Sequence, residues 1–250
     1  MPPLYVINLD RDKERMATLE AHLRARGVDY IRVSAVLGKE VPDWEKLVDP
    51  QLYAIRNRRP TPRAGEIGCT LSHLKVLELF LQTNEPWCVV LEDDVELLPD
   101  YAEVLRALGE KDDWDLVKLF CFHAGMPVRK RRLAGAHHLV VHLTRTTSSA
   151  AYAVNRRAAE ALLKALRPIT EQVDHALDRP WETGLRIRGI RPMPVTLSAD
   201  ALISTIGYAD KEGRDNSPLR LLRLLGFRTH KETRRFFHGI AEGFLRKPTD

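Results

Sequence analysis

The nine residues Trp87-Cys88-Val89-Val90-Leu91-Glu92-Asp93-Asp94-Val95 constrain this chain more than any other stretch. The apolar, β-branched run that opens it reads as a strand buried on both faces. It ends in three consecutive carboxylates, which repel one another and need a positive charge close by. A hard divalent cation with oxygen ligands, Mg²⁺ or Mn²⁺, is the simplest candidate. In open α/β sheets, ligands gather at the carboxyl ends of the strands, which is where these acids fall. A strand running into a solvated acidic turn is the plainer reading, and the choice depends on the rest of the chain.

At 250 residues with 44% hydrophobic content, the chain is long enough for one large α/β domain and too apolar to be disordered throughout. No apolar run approaches the ~20 residues that span a bilayer. The start Met1-Pro2-Pro3-Leu4 lacks the basic and apolar regions of a signal peptide, so a cytoplasmic protein is expected. Cys69, Cys88 and Cys121 are widely spaced in apolar sequence. They fit buried free thiols better than a disulfide framework or a zinc site. The formal charge of +5 invites a nucleic-acid reading, but its distribution opposes one. Between Arg214 and Asp250, nine basic residues face four acidic ones, a surplus equal to that of the whole chain. The body is thus near neutral, and no nucleic-acid partner is expected.

Tyr5-Val6-Ile7-Asn8-Leu9 reads as a first strand, followed by a helix with Met16, Leu19 and Leu23 at helical spacing that Gly27 stops. Asp29 to Val33 is a second strand, and this β-α-β opening predicts parallel pairing with a right-handed crossover. Arg11 and Arg15 flank the helix start, where a phosphate is readily held; solvated helix arginines are the plainer alternative. Residues 38–64, with Arg56, Arg58, Arg59 and Arg63, read as a long irregular loop able to fold over an anionic ligand. In Gly65-Glu66-Ile67-Gly68-Cys69-Thr70-Leu71-Ser72-His73, the glycines permit close backbone approach and Thr70 is placed to cap a helix from Leu71 to about Gln82. A lone His73 is more often structural than a ligand, and Glu66 is equally an anchor for its loop.

Beyond the acidic triplet, a helix around Tyr101–Leu108 precedes strands at Asp115–Phe120, His138–Leu143 and Ala150–Val154. The basic run Arg129-Lys130-Arg131-Arg132 reads as a solvated hairpin or loop. Thr144 to Ser149 is a polar, hydroxyl-rich connection suited to sugar or phosphate, though turn chemistry explains it nearly as well. Asn155 caps a further helix, Val173-Asp174-His175 opens another, and a last strand is expected around Met193 to Leu197. Asp200 and Ser204-Thr205-Ile206-Gly207 close the body. The expected division is a mixed α/β domain over 1–210 and a basic helical tail over 211–250. In the tail, one helix with Leu221, Leu222 and Leu225 ends at Gly226, and a second from about Lys231 carries Phe236, Phe237, Ile240 and Phe244. Such a basic amphipathic pair suits the anionic surface of a cytoplasmic membrane; packing of its apolar stripe on the domain is the alternative.

Several separated stretches together resemble glycosyltransferase family 25, the lipooligosaccharide-type β-galactosyltransferases. They are Val6-Ile7-Asn8-Leu9-Asp10-Arg11 with Arg15, Gly65 through His73, Leu91-Glu92-Asp93-Asp94-Val95, Ala151-Tyr152 and Val173-Asp174, in order over residues 4 to about 207. The resemblance implies a GT-A-like (Rossmann-like) mixed, mainly parallel sheet with flanking helices. It implies inverting transfer of a hexose, usually galactose, from a UDP-sugar to a hydroxyl of a glycan or glycolipid acceptor. Glu92-Asp93-Asp94 then looks like the family's acidic metal motif. Glu92 and Asp94 become candidate ligands for Mn²⁺, or less favoured Mg²⁺, with Asp93 assisting. Asn8, Arg11, Arg15, Glu66, His73 and Asp93 become candidate nucleotide-sugar-binding residues, and Asp174 the candidate catalytic base. The expected location is cytoplasmic, with the tail suited to the inner face of the membrane. A catalytically silent nucleotide- or carbohydrate-binding protein of the same fold, and from the triplet alone a metal-dependent phosphohydrolase, are the competing readings.

Overall fold

The structure, a computed structural model, describes residues 1–57, 59–198 and 217–245. Arg58, Asp200, Ser204-Thr205-Ile206-Gly207 and the expected boundary near residue 210 lie outside the described residues. In chain order, strand β1 (Leu4–Asn8), helix α1 (Lys13–Ala25) and strand β2 (Ile31–Ser34) form the opening unit. Helices α2 (Pro50–Arg56) and α3 (Ala64–Leu81) lead to β3 (Trp87–Glu92), β4 (Val95–Leu97) and α4 (Tyr101–Leu108). Strands β5 (Leu116–Lys118), β6 (Pro127–Arg132), β7 (His138–His142) and β8 (Ala151–Asn155) precede α5 (Arg156–Ala165). Short helices α6 (Val173–Ala176) and α7 (Pro180–Thr183), strands β9 (Ile187–Arg191) and β10 (Val195–Leu197), and the long α8 (Pro218–Ile240) complete the set.

Eight strands form one sheet in the order β2-β1-β3-β8-β5-β9-β7-β6. β1 pairs in parallel with both β2 and β3, whereas β8 is antiparallel to β3 and to β5. Following the pairings across, only β7 and β8 oppose the other six. The sheet is therefore mixed and mainly parallel in strand direction, and it carries helices on both faces, the GT-A-like α/β class expected. Period-two alternation sorts the two cores. Leu4, Val6, Val89 and Leu91 face α1 and α4 through Met16, Leu19, Leu23, Val104 and Leu105. Tyr5, Ile7, Cys88 and Val90 face α3 and α5 through Leu74, Leu77, Phe80, Ala158 and Leu162.

Four segments differ from the sequence expectation. The stretch 38–64 is not wholly irregular: Asp49 caps α2, accepting from Leu52 N at 2.8 Å, and Tyr53 is buried beneath. Helix α3 starts at Ala64, not Leu71, so both motif glycines lie inside it. Thr70 Oγ1 donates to the Glu66 carbonyl (2.9 Å) within the helix and caps nothing. The basic run Arg129–Arg132, by contrast, lies in a hairpin as expected: it belongs to the edge strand β6, antiparallel to β7, with a bulge between Arg129 and Arg131. In the tail, Gly226 does not end a helix; α8 runs through it to Ile240 and a π-helical turn, Ala241–Leu245, follows. Strand β9 had no counterpart in the expectation, because Ile187-Arg188-Gly189-Ile190-Arg191 alternates with arginine and contains glycine.

The tail is joined to the body through charge. Arg235 of α8 pairs with buried Asp178 (2.9 Å), and Glu242 with Arg188 of β9 (2.7 Å). The residues α8 buries include Leu224, Lys231 and Arg235, while Leu219, Leu222, Leu225 and Phe237 stand in solvent. Among the described residues, no helix is long and apolar enough to cross a membrane.

Candidate functional site

Parallel pairing of β1 and β3 brings their carboxyl ends side by side, with Ile7 opposite Glu92. Asp93 and Asp94 form the turn from β3 into β4, held from the far end of the chain by β10, where Ser198 N donates to the Asp94 carbonyl (2.8 Å). A cleft of about 390 Å³ opens here. Asn8, Arg11, Arg15, His73, Glu92, Asp93 and Asp94 all line it, so seven of the nine residues singled out from sequence converge.

The three acids have different surroundings. Glu92 Oε1 accepts from Ser149 Oγ (2.6 Å) and faces His73 Nε2 (3.3 Å), while the other ring nitrogen meets the Tyr152 hydroxyl (3.0 Å). Burial pushes the Glu92 carboxyl up, but the hydrogen bonds from His73 and Ser149 outweigh it and hold the group below its ordinary value. Asp93 accepts from Asn8 Nδ2 (2.7 Å) and pairs with Arg15 (2.7 Å). Burial still leaves it above the usual carboxylate range. The Asp94 side chain pairs with Arg15 at 3.2 Å, and its Oδ1 is buried with no hydrogen-bond partner among the described residues. Burial, then repulsion from Glu92, raises Asp94 to about 7. The positive charge the triplet calls for is thus supplied in part by Arg15, from the first turn of α1.

The orphaned Asp94 oxygen is the feature that fits a hard cation, since an oxygen ligand is most useful when no protein donor claims it. A second donor set lies alongside: Cys69, His73 and Glu92 present ligand atoms within 4.8 Å of one another. Cys69 and His73 are one helical turn apart on α3, a spacing visible in the sequence, where Cys69 reads as a buried thiol and His73 as a structural or nucleotide-sugar-binding residue. Burial, with Glu92 and Asp174 adding to it, pushes the Cys69 thiol well up, which favours the neutral form.

Close packing explains the glycines. A Cβ on Gly38 would meet the Ala64 carbonyl oxygen at 1.7 Å, and one on Gly68 would meet the Val36 carbonyl oxygen at 2.4 Å. Backbone of the segment after β2 therefore lies directly on α3. Val36, Leu37 and Gly38 wall the cleft with Ile7 and Leu9, giving an apolar slot beside the acids.

Glu66 and Asp174 are placed elsewhere. The Glu66 carboxylate accepts from Tyr53 OH (2.6 Å), Gln172 Nε2 (2.6 Å) and Arg63 N (3.0 Å), a fully engaged anchor that fixes the start of α3. Asp174, at the start of α6, accepts from His175 N (2.8 Å) and is close enough to Cys69 to influence its thiol. Its neighbour His175 lines a second and larger cleft, which shares Arg63 with the first. Arg11 is at the rim, 57% exposed and 3.6 Å from Asp12. Ser149 and Tyr152, which support Glu92 and His73, are more than fifty residues away in sequence, and local spacing gives no sign of them.

Comparison with known proteins follows the same residues. A sequence model described as glycosyltransferase family 25 (LPS biosynthesis protein) matches residues 1–177. A glycosyltransferase 25 family member of Anopheles gambiae is 34% identical over 125 residues, 46% of this chain and 21% of that protein. Procollagen galactosyltransferase 1-A of Xenopus laevis is 27% identical over 172 residues, 65% of this chain and 28% of that one. A putative glycosyltransferase of Haemophilus influenzae is 24% identical over 177 residues, covering 70% and 60% respectively. The matches span about a fifth of the length of the insect protein and over half of the bacterial one.

Proposed function

The chain belongs to glycosyltransferase family 25, and on that premise we propose that it moves a hexose, galactose foremost, from a UDP-sugar to a hydroxyl of a glycan or glycolipid acceptor with inversion. Synthesis of lipooligosaccharide, lipopolysaccharide or a related surface glycan is the setting this reading favours. The observation that carries it is the buried Asp94 oxygen, unpartnered among the described residues, in a cleft at the ends of parallel strands. Asp94 and Glu92, with Asp93 assisting, would hold Mn²⁺ or Mg²⁺; the bound ion would neutralise charge on the leaving diphosphate.

The chain's own residues have distinct tasks in this reading. The apolar slot of Ile7, Leu9, Val36 and Leu37 receives the nucleoside, and Asn8 keeps Asp93 oriented through its 2.7 Å hydrogen bond. Arg11, Arg15 and Lys39 place positive charge along the same cleft for the diphosphate. His73 and Ser149 hold Glu92 ionised and fixed. Inversion in one displacement needs a base on the acceptor side, and Asp174 takes that role. Glu66 supports the site by fixing α3. The exposed apolar residues of α8, Leu222, Leu225 and Phe237 among them, with nearby arginines, suit the inner face of a cytoplasmic membrane.

UDP release from a panel of UDP-hexoses tests this reading, run with Mn²⁺, with Mg²⁺ and with chelator, in the presence of galactosyl-, glucosyl- and glucosaminyl-type acceptors. Metal-dependent release from one donor, raised by acceptor and lost in Asp94→Ala, supports it. Tight UDP binding without turnover of any donor favours the catalytically silent binding protein, and release of sugar phosphate without acceptor favours a phosphohydrolase. No UDP binding at all overturns the transferase.

A further inference from the structure

The second cleft, of about 720 Å³, is built from parts of the chain far apart in sequence. Arg56 and Arg59 come from the end of α2 and beyond, Arg63 from the start of α3, and Arg145 from the β7–β8 connection. Arg228 and Lys231 reach it from α8. Two carboxylates also line it, Glu66 and Glu232, and both are committed elsewhere: Glu66 to Tyr53 and Gln172, Glu232 to Arg235. Arg56 is engaged as well, with Glu182 (3.6 Å) and Thr170 (2.7 Å), but six basic side chains against two acidic ones leave the lining net cationic. It adjoins the donor cleft at Arg63, and His175, next to Asp174, faces into it.

The nucleotide's own charge is already provided for at the triplet, by Arg11, Arg15 and Lys39. The six basic side chains of the second cleft, Arg63 being shared with the first, outnumber its two acidic ones and suit a second anion. Lys231 gives independent support. Its Nζ stands 3.4 Å from His175 Nδ1 at the wall of the cleft, and burial, then the charge of Arg235, brings the ammonium down to about 8.

Resting on the transferase reading, we propose that this cleft is the acceptor site and that the acceptor is an anionic saccharide, bearing phosphate or carboxylate, gripped between Arg145 and the α8 residues Arg228 and Lys231. The tail then forms a wall of the substrate site in addition to any surface it offers. An acceptor gripped by its anionic group would be oriented by charge-assisted hydrogen bonds, which fix geometry more strictly than neutral ones. Its reacting hydroxyl would be presented on the side of Asp174.

Titration calorimetry on the full chain, saturated with UDP and Mn²⁺, tests this with glucose 6-phosphate, glucuronate and glucose as probes. One or both anionic sugars should bind at least about tenfold more tightly than glucose, with the gap narrowing as salt is raised. The stronger of the two identifies phosphate or carboxylate as the recognised group. Arg145→Gln and Arg228→Gln alter exposed side chains on separate elements, and each should erode the preference severalfold while UDP affinity stays unchanged. Equal affinity for the three sugars, displacement of the anionic sugar by UDP, or variants that keep the preference would overturn the proposal. Failure of UDP itself to bind is a separate result that removes the transferase reading and the acceptor assignment with it.

Discussion

Gly68 lies in the second turn of α3, where a Cβ would stand 2.4 Å from the Val36 carbonyl oxygen and 2.8 Å from Gly38 N. Helix propensity alone favours alanine there by about 1 kcal/mol. Forcing a methyl against backbone that cannot swing aside costs about 1–3 kcal/mol, so packing decides. We expect Gly68→Ala to lower the midpoint of urea denaturation and, because Val36 and Gly38 wall the donor cleft, to weaken UDP binding measured by calorimetry. A gain in stability would show that the contact relaxes freely. Asp174→Asn should lower kcat roughly 10²–10⁴-fold with UDP affinity unchanged; a parallel loss of nucleotide binding would make it a ligand and not a base. At this scale the acids were legible because Glu92, Asp93 and Asp94 are consecutive and need no fold to bring them together. The Cys69–His73–Glu92 grouping and the Ser149 and Tyr152 supports were not, since the first depends on α3 packing over the end of β3 and the second on β8 pairing with β3. Glu66 was legible as an anchor for its loop, but its partners Tyr53 and Gln172 were not, because they come from opposite sides of the motif.

Helix α8 shows how far an element departs from its local signals. Glycine in an exposed helix interior is destabilising relative to alanine, yet α8 passes through Gly226 because its neighbours on both sides pack or pair with the body. A Cβ at Gly226 would meet nothing within 4 Å. Gly226→Ala should therefore stabilise the protein by about 0.5–1 kcal/mol, the opposite sign to Gly68→Ala, read in the same urea experiment. The opening β-α-β unit and the helices carrying Leu74, Leu77 and Phe80, or Val104 and Leu108, were legible from periodicity. The start of α3 was not: Gly65 and Gly68 signal a turn locally, and the backbone of residues 36–38 is what explains Gly68 inside the helix. Strand β9 escaped notice because its arginines pair with groups the sequence does not place nearby, Arg188 with Glu242 (2.7 Å) and Arg191 with the carbonyls of His123 and Ala124 (2.8 and 2.9 Å).

Over the whole molecule, one buried carboxylate couples the sheet to the tail. Asp178 accepts from Thr146 Oγ1 (2.6 Å) and pairs with Arg235 (2.9 Å) and Lys118 (3.5 Å). Burial alone would raise its pKa, but Lys118 and Arg235 outweigh that and hold it at about 2. Between about pH 4 and 2 the unfolded chain binds a proton that the folded one refuses, so stability falls as the pH drops through this window. His142 adds an earlier phase. Burial, with Arg191 and Lys118 nearby, holds its ring at about 3, so folding excludes a proton that the unfolded imidazole takes up below about pH 6.5. Asp94, raised to about 7, works the other way, because folding takes up a proton there that the unfolded carboxylate refuses. The two offset each other between about pH 6.5 and 4, so denaturation midpoints should change little across that window and decline below about 4. At neutral pH, Asp178→Asn should cost about 3–5 kcal/mol by leaving two buried cations short of their counter-charge. A variant within 1 kcal/mol of the parent would mean that water reaches the pair.

Strand β6 closes one side of the eight-stranded sheet with Pro127 and four successive basic side chains, Arg129 to Arg132, and a bulge interrupts its register. A sheet margin with unpaired amides is an invitation to another chain, and this one declines it three ways: a missing donor, a broken repeat, and like charges that a second copy would have to stack against. The guard is electrostatic in large part. Polyanions or concentrated salt would weaken it, and conditions chosen to quiet the basic surface are those under which copies of this protein would begin to aggregate edge to edge.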